Sequence, residues 1–329
     1  MYKVVLCRAL HPNAMAKLAE RKDVEVKTLT DAFRGPPMEK ELAASIGDAD
    51  GVMVGLERVS DALLATAPKL RIISRFGVGY DTIDIPASTR RGVTVGVVNG
   101  ANDLSVSEHA LMLMLAVARR MVEYDQSVRA GTWMIQHGRR MHELAGRSVL
   151  VVGYGRIGTR VARLCKAFDM QVMVHDPAFP VPRIAADGYE PVADVMEALP
   201  RADVVTLHCP LSAETRGMVN RDFLAAMKKS AWLINTARGP LVDEAALTAA
   251  LADGTIEAAG LDVQMREPPD LDNPMLKMPN VVFSPHNAAA PLECYEKMSM
   301  RAAANLLEYF DGKLNPGYVV NPETLRRNA

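Results

Sequence analysis

Short apolar runs alternate with amphipathic stretches along most of the chain. In the first hundred residues the pattern predicts helices around residues 13–20, 38–46 and 60–66. Buried strands are predicted between and beside them, at Val4 to Leu6, Val24 to Val26, Gly51 to Val54 and Arg71 to Ser74. Strands that alternate with helices in this way indicate an α/β unit with a parallel sheet.

The same alternation returns in the second half of the chain. Further strands are predicted near residues 148–152, 171–175, 203–207, 231–235, 257–261 and 281–283. A helix from about Pro291 to Phe310 follows them, and then a tail rich in Pro and Asn. This second series of strands predicts a complete doubly wound sheet, and the tail is expected to pack back on the first domain.

The segment from Leu104 to Met121 is predicted to be one long helix, apolar around almost its whole circumference. Helices of that kind are buried on every side. Because Glu108 and His109 would be costly in lipid, a membrane span is disfavoured. We therefore expect this helix to be buried between domains or against a second subunit.

A glycine motif, Gly153-Tyr154-Gly155-Arg156-Ile157-Gly158, follows one predicted strand and opens a helix. Gly153 permits a tight turn, Gly155 lets the backbone approach a pyrophosphate, and Gly158 allows the helix to pack close to the strand. Asp176 lies 21 residues beyond Gly155, where its carboxylate can accept hydrogen bonds from ribose hydroxyls. An ordinary glycine-rich turn would not account for Asp176. Because the same negative charge would repel a 2′-phosphate, the motif predicts NAD rather than NADP as the cofactor.

These patterns together predict an α/β fold of two Rossmann-like domains with doubly wound parallel sheets, whose C-terminal helix returns to the first domain. The predicted first domain comprises residues 1–99 and 288–329, and the dinucleotide-binding domain comprises residues 100–287. A chain of 329 residues is long for a single core, which also favours two domains.

Composition excludes several classes of protein. The net charge of −1 indicates neither nucleic-acid binding nor a charged membrane surface. The four cysteines are scattered without CxxC spacing, so reduced thiols are expected and no metal site is predicted. With no run of 18 apolar residues and a first segment that resembles a strand, we expect a cytoplasmic protein.

Three side chains that follow predicted strands could perform chemistry. Arg238 could bind a substrate carboxylate, although an exposed arginine in a turn would look the same. His286 could donate and recover a proton, although most histidines have structural roles. Glu267 would favour the imidazolium form of His286 if the two were in contact, and would otherwise be a surface glutamate.

The order of these segments resembles the D-isomer-specific 2-hydroxyacid dehydrogenase family. The resemblance covers residues 76–286 and adds Val320-Asn321-Pro322 near the end of the chain. Its segments are the glycine motif together with Phe76-Gly77-Val78-Gly79-Tyr80-Asp81, Ser107-Glu108-His109, Leu207-His208-Cys209-Pro210-Leu211, Asn235-Thr236-Ala237-Arg238-Gly239, Gly260-Leu261-Asp262-Val263, Glu267-Pro268 and Ser284-Pro285-His286.

The resemblance implies an NAD-dependent enzyme that transfers a hydride between nicotinamide and C2 of a small D-2-hydroxy or 2-oxo acid. Arg238, Glu267 and His286 would be catalytic, with Arg238 on the oxo acid and His286 as general acid and base. The backbone of Val78 and Gly79, in a flavodoxin-like substrate domain, would hold the substrate carboxylate. The residues implied to bind the cofactor are Val78, Gly153, Gly155, Arg156, Ile157, Gly158, Asp176, Cys209, Pro210, Thr236, Ala237, Arg238, Asp262, His286 and Ala288.

The family also implies a homodimer joined through the dinucleotide domain, which suits the apolar helix at 104–121. Two departures concern local loops: Asn287-Ala288-Ala289 follows His286, and Asn99-Gly100 replaces a common Pro-Gly. Val54-Gly55 stands where the phosphoglycerate branch has Arg-Ser, and no C-terminal regulatory domain is expected, so a dedicated phosphoglycerate enzyme is disfavoured. The alternative function is a non-catalytic NAD sensor of the corepressor type.

Overall fold

The computed structural model describes residues 1–29, 39–133 and 141–327. Residues 326–327 are described by their backbone alone. The chain divides into two compact units. Unit 1 comprises Met1–Asn102 and Ala290–Ala329, and unit 2 comprises Asp103–Ala289. Residue 38, at the predicted start of the second helix, and residues 328–329, at the end of the predicted first domain, lie outside the described residues.

Unit 1 is built on a five-stranded parallel sheet. Its strands are β1 (Tyr2–Leu6), β2 (Val24–Thr28), β3 (Gly51–Val54), β4 (Ile72–Arg75) and β5 (Thr94–Gly96). They lie in the order β2-β1-β3-β4-β5. Its helices are α1 (Pro12–Ala19), α2 (Glu39–Ile46), α3 (Asp61–Ala65), α4 (Ile85–Arg90) and, after unit 2, α12 (Leu292–Phe310).

The C-terminal helix α12 completes the core of unit 1. It packs against α1 and β4, and the Ser74 hydroxyl in β4 donates a 2.9 Å hydrogen bond to the carbonyl of Ala302. A Cβ atom at Gly51 would lie 3.0 Å from the Leu306 side chain, so this glycine allows the helix to approach the sheet closely. The predicted return of the last helix to the first domain is therefore confirmed.

Unit 2 is built on a seven-stranded parallel sheet. Its strands are β6 (Ser148–Val152), β7 (Gln171–His175), β8 (Glu190–Pro191), β9 (Val204–Leu207), β10 (Trp232–Asn235), β11 (Ala258–Leu261) and β12 (Val281–Phe283). They lie in the order β12-β11-β10-β9-β6-β7-β8. Strand β6 lies between β7 and β9, so the strand order reverses beside the glycine motif. Ligands of open α/β sheets bind outside the carboxyl ends of strands at such a reversal.

The helices of unit 2 cover both faces of its sheet. They are α5 (Asp103–Ala118), α6 (Met121–Arg129), α7 (Arg156–Ala167), α8 (Val181–Ala186), α9 (Val195–Ala198), α10 (Arg221–Ala226) and α11 (Glu244–Asp253). The prediction of one helix from Leu104 to Met121 is wrong at its end, because Arg120 adopts a left-handed conformation with φ of 48° and separates α5 from α6.

The two-domain α/β fold with parallel sheets is confirmed. Two strands were not predicted, β5 and β8, since three and two residues are too few for a recognisable pattern. In the described part of the chain, helices that combine the length and apolarity needed to cross a bilayer are absent.

Candidate active site

The glycine turn after β6 has the three properties that its sequence predicts. Gly153 has φ of +99°, and a Cβ atom there would lie 2.5 Å from the backbone nitrogen of Cys209. A Cβ atom at Gly158 would lie 1.9 Å from the carbonyl oxygen of Gly153, so only glycine lets α7 sit so close to the turn. Around Gly155 the space is open, with no described atom within 4 Å of the Cβ position.

The helix that follows this turn offers free backbone donors. Gly155 is the N-cap of α7 and provides no side-chain cap, so the first N–H groups of the helix, at Arg156 and Ile157, face the open space. A helix N-terminus attracts phosphate through these N–H groups and the helix dipole. The open space at Gly155 and the uncapped helix therefore fit the pyrophosphate of a dinucleotide.

Asp176 lies beside the glycine turn, immediately after β7. Its Oδ2 accepts a 2.6 Å hydrogen bond from the N–H of Tyr154, and its Oδ1 accepts a 2.9 Å bond from the N–H of Ala178. These two bonds fix the orientation of a half-buried carboxylate and leave each oxygen a further lone pair. The geometry fits acceptance of hydrogen bonds from ribose hydroxyls.

The segment after β9 forms the other wall of the glycine turn. His208 accepts or donates a 2.8 Å hydrogen bond with the Thr206 hydroxyl, and burial lowers the pKa of His208 to about 3. Burial raises the pKa of the neighbouring Cys209 thiol to about 11. Both groups are therefore neutral near pH 7, and the exposed Pro210 follows them.

The turn after β10 carries Arg238 and is organised by Asn235. The Asn235 side chain accepts a 3.0 Å hydrogen bond from the N–H of Ala237 and donates a 2.8 Å bond to the carbonyl of Arg238. The guanidinium of Arg238 in turn donates a 2.7 Å bond to the carbonyl of Ala237. Among the described residues, the buried hydroxyl of Thr236 has no hydrogen-bond partner, which fits a polar ligand group at this turn.

The turns after β10 and β11 are in direct backbone contact. A Cβ atom at Gly239 would lie 1.9 Å from the carbonyl oxygen of Gln264, so glycine is required beside Arg238. The N–H of Gln264 donates a 3.0 Å hydrogen bond to Oε1 of Glu267. This chain of contacts connects the position of Arg238 to that of Glu267.

Glu267 contacts His286, as its predicted role requires. Oε2 of Glu267 lies 2.6 Å from Nδ1 of His286, and the two side chains are 29% and 27% exposed. Since Nδ1 faces the carboxylate, the Nε2 atom of His286 is left to exchange a proton with a ligand. Two of the predicted catalytic residues thus form one acid–base unit.

Asp262 is the most buried acid at this edge, with a side chain only 1% exposed. Burial alone would raise the pKa of Asp262, but hydrogen bonds from His109, Ser284 and the N–H of Asn287 outweigh it and lower the pKa to about 2. Its Oδ2 accepts a 3.1 Å bond from the N–H of Ala288. Asp262 is therefore charged at neutral pH and binds the loop that carries His286.

The predicted substrate loop of unit 1 follows β4 and is held by Arg75. The Arg75 guanidinium donates hydrogen bonds to the carbonyls of Phe76 and of Gly79, the latter at 2.8 Å. A Cβ atom at Gly77 would lie 2.3 Å from this guanidinium. Within the part of the chain that the structure describes, the N–H groups of Val78 and Gly79 have no acceptor. They can therefore donate hydrogen bonds to an oxygen atom of a ligand.

The carboxyl edge of the unit 2 sheet thus brings together all of the predicted cofactor residues except Val78, which belongs to unit 1. Sequence reasoning missed the organising roles of Asn235, His109 and Ser284. Each belongs to a segment that carries the family resemblance, but spacing alone gives no signal that their side chains support neighbouring turns.

Comparisons with known proteins agree with this geometry. Residues 111–288 match the model for the NAD binding domain of D-isomer specific 2-hydroxyacid dehydrogenases. The chain is 36% identical to a glyoxylate reductase of Thermofilum pendens, over 98% of this chain and 96% of that protein. It is 38% identical to a D-3-phosphoglycerate dehydrogenase of Methanocaldococcus jannaschii, over 98% of this chain but only 60% of that protein.

A solved structure of D-lactate dehydrogenase from Aquifex aeolicus, complexed with NAD and lactic acid, is also similar. It superposes with a TM-score of 0.84 at 26% identity and covers 97% of this chain and 99% of that one. These similarities indicate an oxidoreductase that uses NAD(P).

Proposed function

The chain belongs to the D-isomer specific 2-hydroxyacid dehydrogenase family, and we propose that it reduces a small, unphosphorylated 2-oxo acid with NADH. The contact of 2.6 Å between Nδ1 of His286 and Oε2 of Glu267 carries the proposal. It provides an oriented proton donor at the carboxyl edge of the sheet that holds the glycine motif.

We propose that Arg238 and the N–H groups of Val78 and Gly79 bind the carboxylate of the substrate. A guanidinium presents its donors as a planar fork, which suits the carboxylate and the adjacent C2 carbonyl oxygen together. Polarisation of that carbonyl makes C2 more electrophilic. A bound reduced nicotinamide supplies the hydride that C2 accepts.

His286 completes the reduction by transferring the proton on Nε2 to the C2 oxygen. Glu267 stabilises the imidazolium before the transfer and holds the ring by Nδ1. In the oxidation direction, neutral His286 accepts the hydroxyl proton at Nε2 as the hydride leaves C2. One histidine therefore serves both directions, according to its protonation.

We propose NAD rather than NADP because Asp176 places a fixed negative charge at the end of β7. Its oxygens can accept bonds from the adenine-ribose hydroxyls, whereas a 2′-phosphate would be repelled. Gly153, Gly155 and Gly158 with the start of α7 would hold the pyrophosphate. Thr236, Ala237, Asp262 and Ala288 would border the nicotinamide, while Cys209 and Pro210 would line the adenine side.

Two charged side chains near the end of β3 support the proposal that the substrate carries no phosphate. Glu57 is only 5% exposed and accepts a hydrogen bond from the N–H of Gly55. Burial lowers the pKa of the nearby Arg8, and attraction to the Glu57 carboxylate opposes that effect. The charge of Arg8 is thus balanced by a carboxylate instead of being left for a phosphate.

We propose a homodimer in which a second copy covers the outer face of α5 and α6. Exposed apolar side chains on neighbouring helices are typical of subunit interfaces. The exposed apolar side chains on these helices and the segments after them are Leu104, Met112, Met121, Val122, Val128, Trp133 and Met141.

We also propose that the enzyme works in the cytoplasm without a nucleic-acid partner. All four cysteines are free, and burial raises the pKa of Cys165 to about 12, which suits a reducing compartment. The net charge of −1 provides no excess of cations for phosphate backbones.

The test is oxidation of NADH, and separately of NADPH, with glyoxylate, hydroxypyruvate, 3-phosphohydroxypyruvate and longer 2-oxo acids. We expect turnover with a small unphosphorylated acid, and loss of about 10²-fold or more in His286→Ala with NADH affinity unchanged within a few-fold. Tight NADH binding without turnover of any acid would instead favour an NAD sensor.

A further inference from the structure

His109 lies on α5 and has no role in the proposed reaction. Its side chain is only 16% exposed, and its Nε2 atom lies 2.7 Å from the Ser284 hydroxyl and 3.3 Å from Oδ1 of Asp262. The imidazole therefore reaches from a helix to the turn after β11 and to the segment after β12. Both of these segments belong to the candidate active site.

The direction of the hydrogen bonds follows from the number of protons. The Ser284 hydroxyl has a single proton and donates it to Oδ1 of Asp262 at 2.6 Å. It can therefore only accept from His109, whose Nε2 must carry a proton. The series runs from the imidazole N–H to the hydroxyl and then to the buried carboxylate.

Asp262 is also hydrogen-bonded to the backbone of His286, the residue that transfers the proton. Its backbone carbonyl accepts a 2.8 Å bond from the N–H of His286. Its carboxylate accepts bonds from the N–H groups of Asn287, at 3.0 Å, and Ala288, at 3.1 Å. Three successive N–H groups of the His286 loop thus end on one aspartate.

The loop needs this support because His286 has φ of 52°. A left-handed conformation is unfavourable for a residue other than glycine and persists only where surrounding contacts impose it. Those contacts converge on Asp262, and among the described residues His109 and Ser284 are the side chains that hydrogen-bond its carboxylate.

We propose that His109 is a positioning residue for catalysis, which orients His286 through Ser284 and Asp262; this inference rests on the proposed role of His286 as proton donor. Without the imidazole, the Ser284 hydroxyl and the Asp262 carboxylate each lose a polar partner. Asp262 is too buried for water to replace the missing bond readily. The loop then samples arrangements in which Nε2 of His286 no longer faces the substrate oxygen.

The variants His109→Ala, His109→Gln and Met114→Ala separate positioning from folding. Gln can place an amide N–H near the position of Nε2, so it should restore the network. Met114 is a fully buried residue of the same helix that packs near Cys165, and its truncation destabilises α5 without contact to Asp262. It is the matched control for loss of structure.

We expect His109→Ala to lower kcat about tenfold, because even a small displacement of a reacting group slows the reaction strongly. The KM values for NADH and the oxo acid should stay within about threefold, since their binding groups remain. His109→Gln should recover kcat to within about threefold of wild type, and Met114→Ala should retain it. Full kcat in His109→Ala, or an equal loss in Met114→Ala, would overturn the proposal.

A second measurement does not depend on turnover. The NMR signal of the His286 ring Cε1–H in the free protein should shift in His109→Ala and remain in place in Met114→Ala. An unchanged His286 signal in His109→Ala would refute the positioning role even if the wild type reduced none of the tested acids. Absence of wild-type turnover together with a shifted signal would refute the proposed substrate class alone.

Discussion

Nδ1 of His286 and Oε2 of Glu267 lie 2.6 Å apart, although 18 residues separate them in the chain. The contact forms because Glu267 follows β11, His286 follows β12, and these parallel strands are neighbours in the sheet. The carboxylate compensates a positive charge on the imidazole and fixes the ring. The pair is therefore suited to hold a proton until the substrate oxygen accepts it.

Glu267→Gln should slow reduction more than oxidation at one pH. The amide keeps the shape and can still accept from Gln264, but it no longer stabilises imidazolium, the form that reduction requires. We expect the ratio of the reductive to the oxidative kcat at pH 7 to fall about tenfold. Asp270→Asn, at a nearby exposed acid paired with Arg266, is the control and should leave the ratio unchanged. An equal ratio in both variants would show that Glu267 does not support the charge of His286.

Arg238→Lys should lose most activity although the positive charge remains. Lys presents a single ammonium and cannot make two parallel bonds to a carboxylate. We expect kcat/KM for the oxo acid to fall about 10²-fold with the KM for NADH nearly unchanged. The same substitution at the exposed Arg266 should have no effect. A near-normal KM for the oxo acid in Arg238→Lys would remove Arg238 from substrate binding.

Asp176→Ser should weaken the preference of the enzyme for NADH over NADPH. The substitution removes both the acceptors for the ribose hydroxyls and the repulsion of a 2′-phosphate. We expect the ratio of kcat/KM for NADPH to that for NADH to rise at least about tenfold. Glu190→Gln removes an exposed charge on β8, paired with Arg201, and should leave the ratio unchanged. A wild type that prefers NADPH would contradict the proposed cofactor directly.

The strands of both units follow closely from the sequence because buried parallel strands are short apolar runs with clear ends. The end of α5 does not, because Arg119 and Arg120 are both compatible with a helix and nothing in the sequence indicates the left-handed conformation of Arg120. A break of this kind depends on the local backbone and on the packing of the two helices.

The residues of the candidate site also differ in how far the sequence alone could predict them. The glycine motif and Asp176 could be interpreted from spacing, because strand, turn and helix impose fixed distances. Glu267 and His286 could be named as candidates from their positions after predicted strands, but the sequence pattern could not show that they are in contact, since their proximity depends on sheet order. The bonds of Asp262 to His109 and Ser284 depend on three separate segments, so no local pattern in the chain could predict them.

Met112→Glu should weaken the proposed dimer. Met112 is exposed on the outer face of α5, and a charge buried there in an interface would lack a partner. Analytical ultracentrifugation at micromolar concentration should show a dimer for the wild type and a larger monomer fraction for the variant. Leu292→Glu, at a more exposed apolar residue on α12, is the control and should remain dimeric. A monomeric wild type would exclude the proposed dimer.

Asp262→Asn should destabilise the protein at neutral pH and about half as much at pH 3. The folded state lowers the pKa of Asp262 to about 2, so it stabilises the charged form relative to the unfolded chain. A lowered pKa contributes stability that is present above the unfolded value near 4 and is lost as the pH falls towards 2. The shift corresponds to about 2 kcal/mol, of which about half is lost at pH 3. Urea unfolding of wild type and variant at pH 6, 4 and 3 measures this difference. If the difference in the free energy of unfolding between wild type and variant stays constant from pH 6 to pH 3, the bonds from Ser284 and Asn287 do not stabilise a charged carboxylate.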